Sequence, residues 1–102
     1  MSDHARIEAF LEMMSAERGA SANTLDAYGR DLLEASGYLG GNLCEADAAD
    51  LSGWLQSLAK DGLAASTQAR KLSSLKRFYR FLFEERDRSD DPTSKLDAPK
   101  VT

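Results

Sequence analysis

The sequence predicts an all-α protein: a compact four-helix bundle, helices at about residues 3–18, 22–39, 48–60 and 66–86, with an irregular C-terminal tail. Three observations predict it. Apolar residues recur at three- and four-residue spacing in each of four segments. Polar caps precede these segments and glycines follow most of them. No stretch alternates apolar and polar residues, and β-branched residues are few, so no strand is predicted. A chain of 102 residues has the size of one domain.

Ser2 or Asp3 caps the first helix, whose buried stripe is Ile7, Phe10, Leu11 and Met14. Met13 and Met14 read as core filler, and Gly19 ends the helix. Ser21 is a good N-cap for the second helix, with Leu25, Tyr28, Leu32, Ala35 and Leu39 on one face. Gly29 lies mid-helix, where it costs ~1 kcal/mol against alanine; it either permits close packing or has no role. Gly40-Gly41 closes this element.

Asp47 caps the third helix, and Asp50 three residues on makes a weaker form of the capping box. Leu51, Trp54, Leu55 and Leu58 form its apolar face, with Trp54 the largest core anchor. Gly62 falls at the C′ position. The fourth helix runs from about Ser66 to between Glu85 and Arg88, a rod of ~30 Å. At ~100° per residue, Gln68, Leu72, Leu75, Tyr79, Leu82 and Phe83 share one side. Ser66, Arg70, Ser73, Arg77 and Arg80 share the other, and Phe81 falls awkwardly among them. Beyond it, Pro92, Pro99, Asp90, Asp91 and Ser94 forbid further regular helix. The tail reads as a linker, with Leu96 the residue placed to fold back.

The chemistry of most enzymes is missing. His4 is the sole histidine, so a histidine-dependent triad or zinc site lacks partners. Cys44 is the sole cysteine, which excludes an intramolecular disulfide and a cysteine cluster. No glycine-rich phosphate loop follows a strand, and no spacing singles out a carboxylate pair. No catalytic residue, metal or cofactor is predicted. The N-terminus has no secretory pattern and no apolar run approaches ~18 residues, so a cytoplasmic location without membrane association is expected.

Charge carries the functional signal. The formal net charge is −4, but it is unevenly placed. Residues 1–65 hold four cations against eleven acids, whereas residues 66–88 hold seven cations against three acids. From Arg70 to Arg80 there are five cations (Arg70, Lys71, Lys76, Arg77, Arg80) and no acid. Such asymmetry concentrates positive field on one element. From charge patterning alone, a basic helix face is an ordinary solvated face.

Four fragments together carry a resemblance. They are Ser21-x-x-Thr24-Leu25-x-x-Tyr28-x-x-Asp31-Leu32; Asp50-Leu51 with Trp54-Leu55; Gly62-Leu63 followed by Thr67-x-x-Arg70-Lys71-Leu72-Ser73-x-Leu75-Lys76-x-Phe78-Tyr79-x-Phe81-Leu82; and Asp91-Pro92-Thr93 with Pro99-Lys100. In this order and spacing the chain resembles the N-terminal core-binding domain of tyrosine recombinases, the phage-integrase family, in its Xer-like branch. The resemblance runs from about Ile7 to Lys100.

That resemblance implies a SAM-like DNA-binding domain over residues 1–88, with 89–102 beginning a linker to a catalytic domain that this chain lacks. It implies double-stranded DNA as partner, clamped through helices two and four, and in the full-length protein other recombinase protomers in a synaptic tetramer. The isolated fragment is expected to be monomeric. Carried over by position, helix two offers Ser21, Asn23 and Thr24. Helix four offers Ser66, Thr67, Arg70, Lys71, Ser73, Ser74, Lys76 and Arg77, and Lys60 offers a phosphate contact. Arg70 is assigned to base edges and Lys76 and Arg77 to phosphates. For Ser21 and Thr24, capping and DNA contact stay equally open. Where many family members carry a helix cap this chain has Ala64, which moves the expected cap to Ser66. The alternative from another class is a helical protein-interaction module whose acidic first half takes a basic partner.

Overall fold

The structure, a computed structural model, describes residues 2–97. Four α-helices follow the predicted order: α1 (Asp3–Arg18), α2 (Ala22–Tyr38), α3 (Ala48–Lys60) and α4 (Ala65–Glu84), with a 3₁₀ turn at Leu43–Glu45. Among the described residues there is no strand, and no helix is long and apolar enough to cross a membrane. Pro99 and Lys100, part of the resemblance and of the expected linker, lie outside the described residues. The chain forms two compact units that divide after Cys44.

The first unit holds α1 and α2. Ser2 caps α1, its side chain accepting from the Ala5 N–H at 3.3 Å. Ile7, Phe10 and Met14 are buried, and the Phe10 ring meets that of Tyr28 at 6.2 Å between centroids. Gly29 permits close packing. It is buried on α2, and a Cβ there would lie 3.2 Å from Leu11 Cδ1. The helices approach where a side chain is missing, which offsets the helix propensity lost to glycine.

Asp3 does more than open a helix. Its carboxylate is 7% exposed and accepts from the Ser36 hydroxyl, the Leu43 N–H at 2.8 Å and the Cys44 N–H at 3.0 Å. It thereby satisfies backbone donors of the 3₁₀ turn. Burial pushes its pKa up, but the hydrogen bonds from Ser36, Cys44 and Leu43 together outweigh burial and hold it below the usual value. Burial, then the hydrogen bond and charge of Asp3, pushes the Cys44 thiol up to about 12, so it stays protonated and unreactive at neutral pH.

An acid titration checks the Asp3 bridge. Its folded pKa lies below its unfolded value, so its contribution is present above the unfolded value, ~3.9. That contribution is lost as pH falls through the folded pKa. Asp3→Asn is expected to lower stability at pH 7 by about 2 kcal/mol and to flatten the loss on acidification below pH ~4. Denaturant melts of parent and variant across pH 3–7 measure both; parallel curves of equal height would discard the bridge as a stabiliser.

The second unit holds α3, α4 and the segment after them. Asp47 caps α3, accepting from the Asp50 N–H at 2.8 Å, and the Asp47 N–H returns a bond to the Asp50 carboxylate at 3.2 Å. The reciprocal box predicted from two aspartates is therefore formed. At the other end Gly62 takes φ 81°. The Leu63 and Gly62 N–H groups bond to the Leu58 and Ala59 carbonyls, a pairing that requires the left-handed conformation glycine adopts freely. Leu51, Trp54 and Leu58 are buried.

The cap of α4 differs from expectation. The helix starts at Ala65 and its N-cap is Ala64, with no side-chain cap hydrogen bond. Ser66 is the second helical residue. The entry is held instead by the Gln68 side chain, whose Nε2 donates to the Leu63 carbonyl at 2.8 Å.

Burial on α4 also departs from the apolar stripe. Phe81, assigned to the polar side, is 5% exposed, whereas Phe83, assigned to the apolar side, is 51% exposed. Lys71 and Ser74 are buried with Leu72, Leu75, Phe78, Tyr79 and Leu82. From Phe81 round to Leu72 the buried positions span about 180° of the helix. The apolar stripe is narrower than this arc and rotated from it, because it omits Phe78 and Phe81 as well as the buried Lys71 and Ser74.

The segment expected to begin a linker is anchored at two residues. Pro92 is buried and Thr93 is fully buried. Thr93 donates from its N–H and hydroxyl to Asp91 Oδ1, at 2.9 and 2.6 Å. Arg88 grips Asp90 with two nitrogens, each at 3.0 Å. Its third nitrogen donates to the Ala46 carbonyl at 2.7 Å, and its guanidinium lies 5.3 Å from the centre of the Tyr79 ring.

Candidate nucleic-acid interface

The outward side of α4 is the candidate surface. Ser66, Arg70, Ser73 and Arg77 are all exposed. With Arg80 they lie within about 80° of one another around the helix and along ~21 Å of its axis. The buried arc of α4 is what aims them outward. Arg80, absent from the predicted contacts though at the same spacing, pairs with Glu84 at 3.0 Å. Both partners are exposed, so the pair is weak and a stronger anion displaces it.

The other predicted contacts of the second unit divide. Lys60, the last residue of α3, is exposed, and Thr67 is half-buried in the first turn of α4. Lys76 is half-buried and donates from Nζ to the Thr93 carbonyl at 2.8 Å. Lys71 is 4% exposed and Ser74 is fully buried, its hydroxyl donating to the Arg70 carbonyl at 3.3 Å. Both side chains are buried, unlike the exposed Ser66, Arg70, Ser73 and Arg77. Both entered the predicted set through the resemblance and not through the helix spacing, which puts neither on the polar side.

In the first unit, Ser21 and Asn23 are exposed and Thr24 is half-buried. Capping is realised: Ser21 Oγ accepts from the Thr24 N–H at 3.2 Å and donates to Thr24 Oγ1 at 3.0 Å. A hydroxyl engaged this way keeps acceptor capacity, and the first turn of α2 retains the partial positive charge of a helix N-terminus.

The surface on α4 suits a polyanion. It combines exposed guanidiniums with short hydroxyls, and no acid interrupts it between Arg70 and Arg80. The α4 N-terminus has no side-chain cap, so its first N–H groups point to solvent or to an anion. A helix with its side chains is about 10–12 Å across and enters a major groove ~12 Å wide.

The model of the phage integrase N-terminal SAM-like domain matches residues 7–86. The chain belongs to this family. This SAM-like domain is 55% identical over 101 residues to the tyrosine recombinase XerD of Agrobacterium fabrum, covering 96% of the chain and 30% of that protein. It is 58% identical over 99 residues to XerD of Rhizobium meliloti, covering 94% and 32%. It is 47% identical over 97 residues to XerD of Caulobacter vibrioides, covering 92% and 32%. The domain thus spans about a third of the length of the curated relatives it matches. No solved structure matches it.

Proposed function

We propose that the chain is the DNA-binding N-terminal domain of a site-specific tyrosine recombinase of the XerD type, and that it holds one face of a recombination site. The observation that carries this reading is the exposed strip Ser66, Arg70, Ser73 and Arg77 on α4. The family membership and the relatives' names support it. Arg70 reads base edges in the major groove, while Arg77, Arg80 and Lys60 neutralise phosphates. The first turn of α2, with Ser21 and Asn23, adds short phosphate contacts that fix register. Strand cleavage and exchange belong to the remaining two thirds of the protein, acting with other recombinase protomers in a synaptic complex.

A salt titration with duplex DNA tests the reading. Three or four phosphate contacts give a slope of log affinity against log salt of about −3 to −4. Holding one face of the duplex only, the domain alone is expected to bind with micromolar affinity or weaker at physiological salt. Binding that ignores salt, or none at 20 mM salt, would reject DNA and leave the helical protein-interaction module as the reading.

A further inference from the structure

Resting on the DNA-binding reading above, we propose that Asp91 and Thr93 are positioning residues for DNA contact, acting through Lys76. The two form a turn closed on itself, with the Thr93 N–H and hydroxyl both bonded to Asp91 Oδ1. The turn is anchored, because Thr93 is fully buried. Its product is one fixed carbonyl. The Thr93 oxygen accepts from the Leu96 N–H at 3.0 Å and from Lys76 Nζ at 2.8 Å.

Lys76 stands beside the strip, three residues from Ser73 and four from Arg80, the spacings at which helix side chains are neighbours. An unheld lysine loses much rotamer freedom when it meets a phosphate. Here the Thr93 carbonyl has already fixed the stem. One of three ammonium donors is used, and two remain with the full charge. The docked C-terminal segment therefore presets a cation at the edge of the DNA-facing surface.

The expected change in affinity has a sign that simple electrostatics does not share. Asp91 lines the same shallow hollow as Arg80, Phe83 and Glu84. Its negative charge opposes a phosphate there, so removing that charge should by itself tighten binding. Asp91→Asn removes the charge but keeps an oxygen that accepts from Thr93. Asp91→Ala removes both.

Duplex affinity and its salt dependence are measured for the parent chain and both variants, with thermal melts alongside. Asp91→Asn is expected to bind at least as tightly as the parent. Asp91→Ala is expected to bind about threefold to tenfold more weakly, with a salt slope shallower by up to ~0.9, one phosphate contact. Equal affinity for the two variants overturns the positioning role while leaving the DNA reading intact. A parent chain that does not bind duplex overturns both. Should Asp91→Ala melt below the assay temperature, Thr93→Val takes its place: it keeps the buried volume and removes the hydroxyl donor. It is expected to weaken binding in the same direction, and parent-like affinity overturns the proposal.

Discussion

Replacing Arg70 and Arg77 together by alanine is expected to weaken duplex binding by about 10- to 100-fold at 0.1 M salt while moving the melting temperature by no more than ~2 °C. The two effects separate because both side chains are exposed on one turn-to-turn line of α4. Alanine is the best helix former, and exposed substitutions of this kind usually change stability by less than ~0.5 kcal/mol. Binding loses one base-reading guanidinium, ~1–3 kcal/mol, and one phosphate contact that also makes the salt slope shallower by about 1. Fluorescence anisotropy with a labelled duplex and a parallel thermal melt read both quantities. Parent-like affinity in the double variant would remove α4 as the reading surface.

Arg88→Ala is expected to be the most destabilising single substitution outside the apolar core. The Arg88 side chain is 12% exposed. It donates to Asp90 at two points and to the Ala46 carbonyl at a third, and it covers the Tyr79 ring. Ala46 and Tyr79 are buried, so the truncation removes a donor and a cation–π contact where water does not easily replace them. A loss of about 2–3 kcal/mol is expected, which lowers the melting temperature by about 10–20 °C in a domain of this size. Arg88→Lys keeps the charge but not the fork of donors and should recover less than half of the loss. The Arg88–Asp90 grip also holds the Asp90 carboxyl below its usual value. A melt within 2 °C of the parent for Arg88→Ala would mean that the C-terminal segment is held by Pro92 and Thr93 alone.

These two arginines illustrate how unevenly the sequence discloses its structure. Arg77 is legible: its spacing from Ser73 and Arg70 and the absence of nearby acids mark it. Arg88 is not. It sits among Arg86, Asp87 and Asp90 in a stretch that looks like solvated charge, and its partners are set by the packing of the tail. Lys71 shows a different limit: a cation beside Arg70, placed among the DNA contacts by the resemblance, is buried. Phe81 and Phe83 exchange places for a related reason. Hydropathy locates a stripe, whereas burial follows what covers it.

What the sequence by itself determined are the four helices, the N-caps of the first three and the outward line Ser66–Arg70–Ser73–Arg77. All are local: helix hydrogen bonds join residues four apart, caps join residues three apart, and a helix face repeats every three or four positions. Only the tertiary structure decided that Gly29 admits Leu11, that Asp3 closes on Leu43 and Cys44, that Lys76 is held by Thr93, and that Arg88 reaches Ala46. These contacts join residues 17 to 42 positions apart. No periodicity encodes such pairs, because they form only when packing brings distant segments within hydrogen-bond or van der Waals reach.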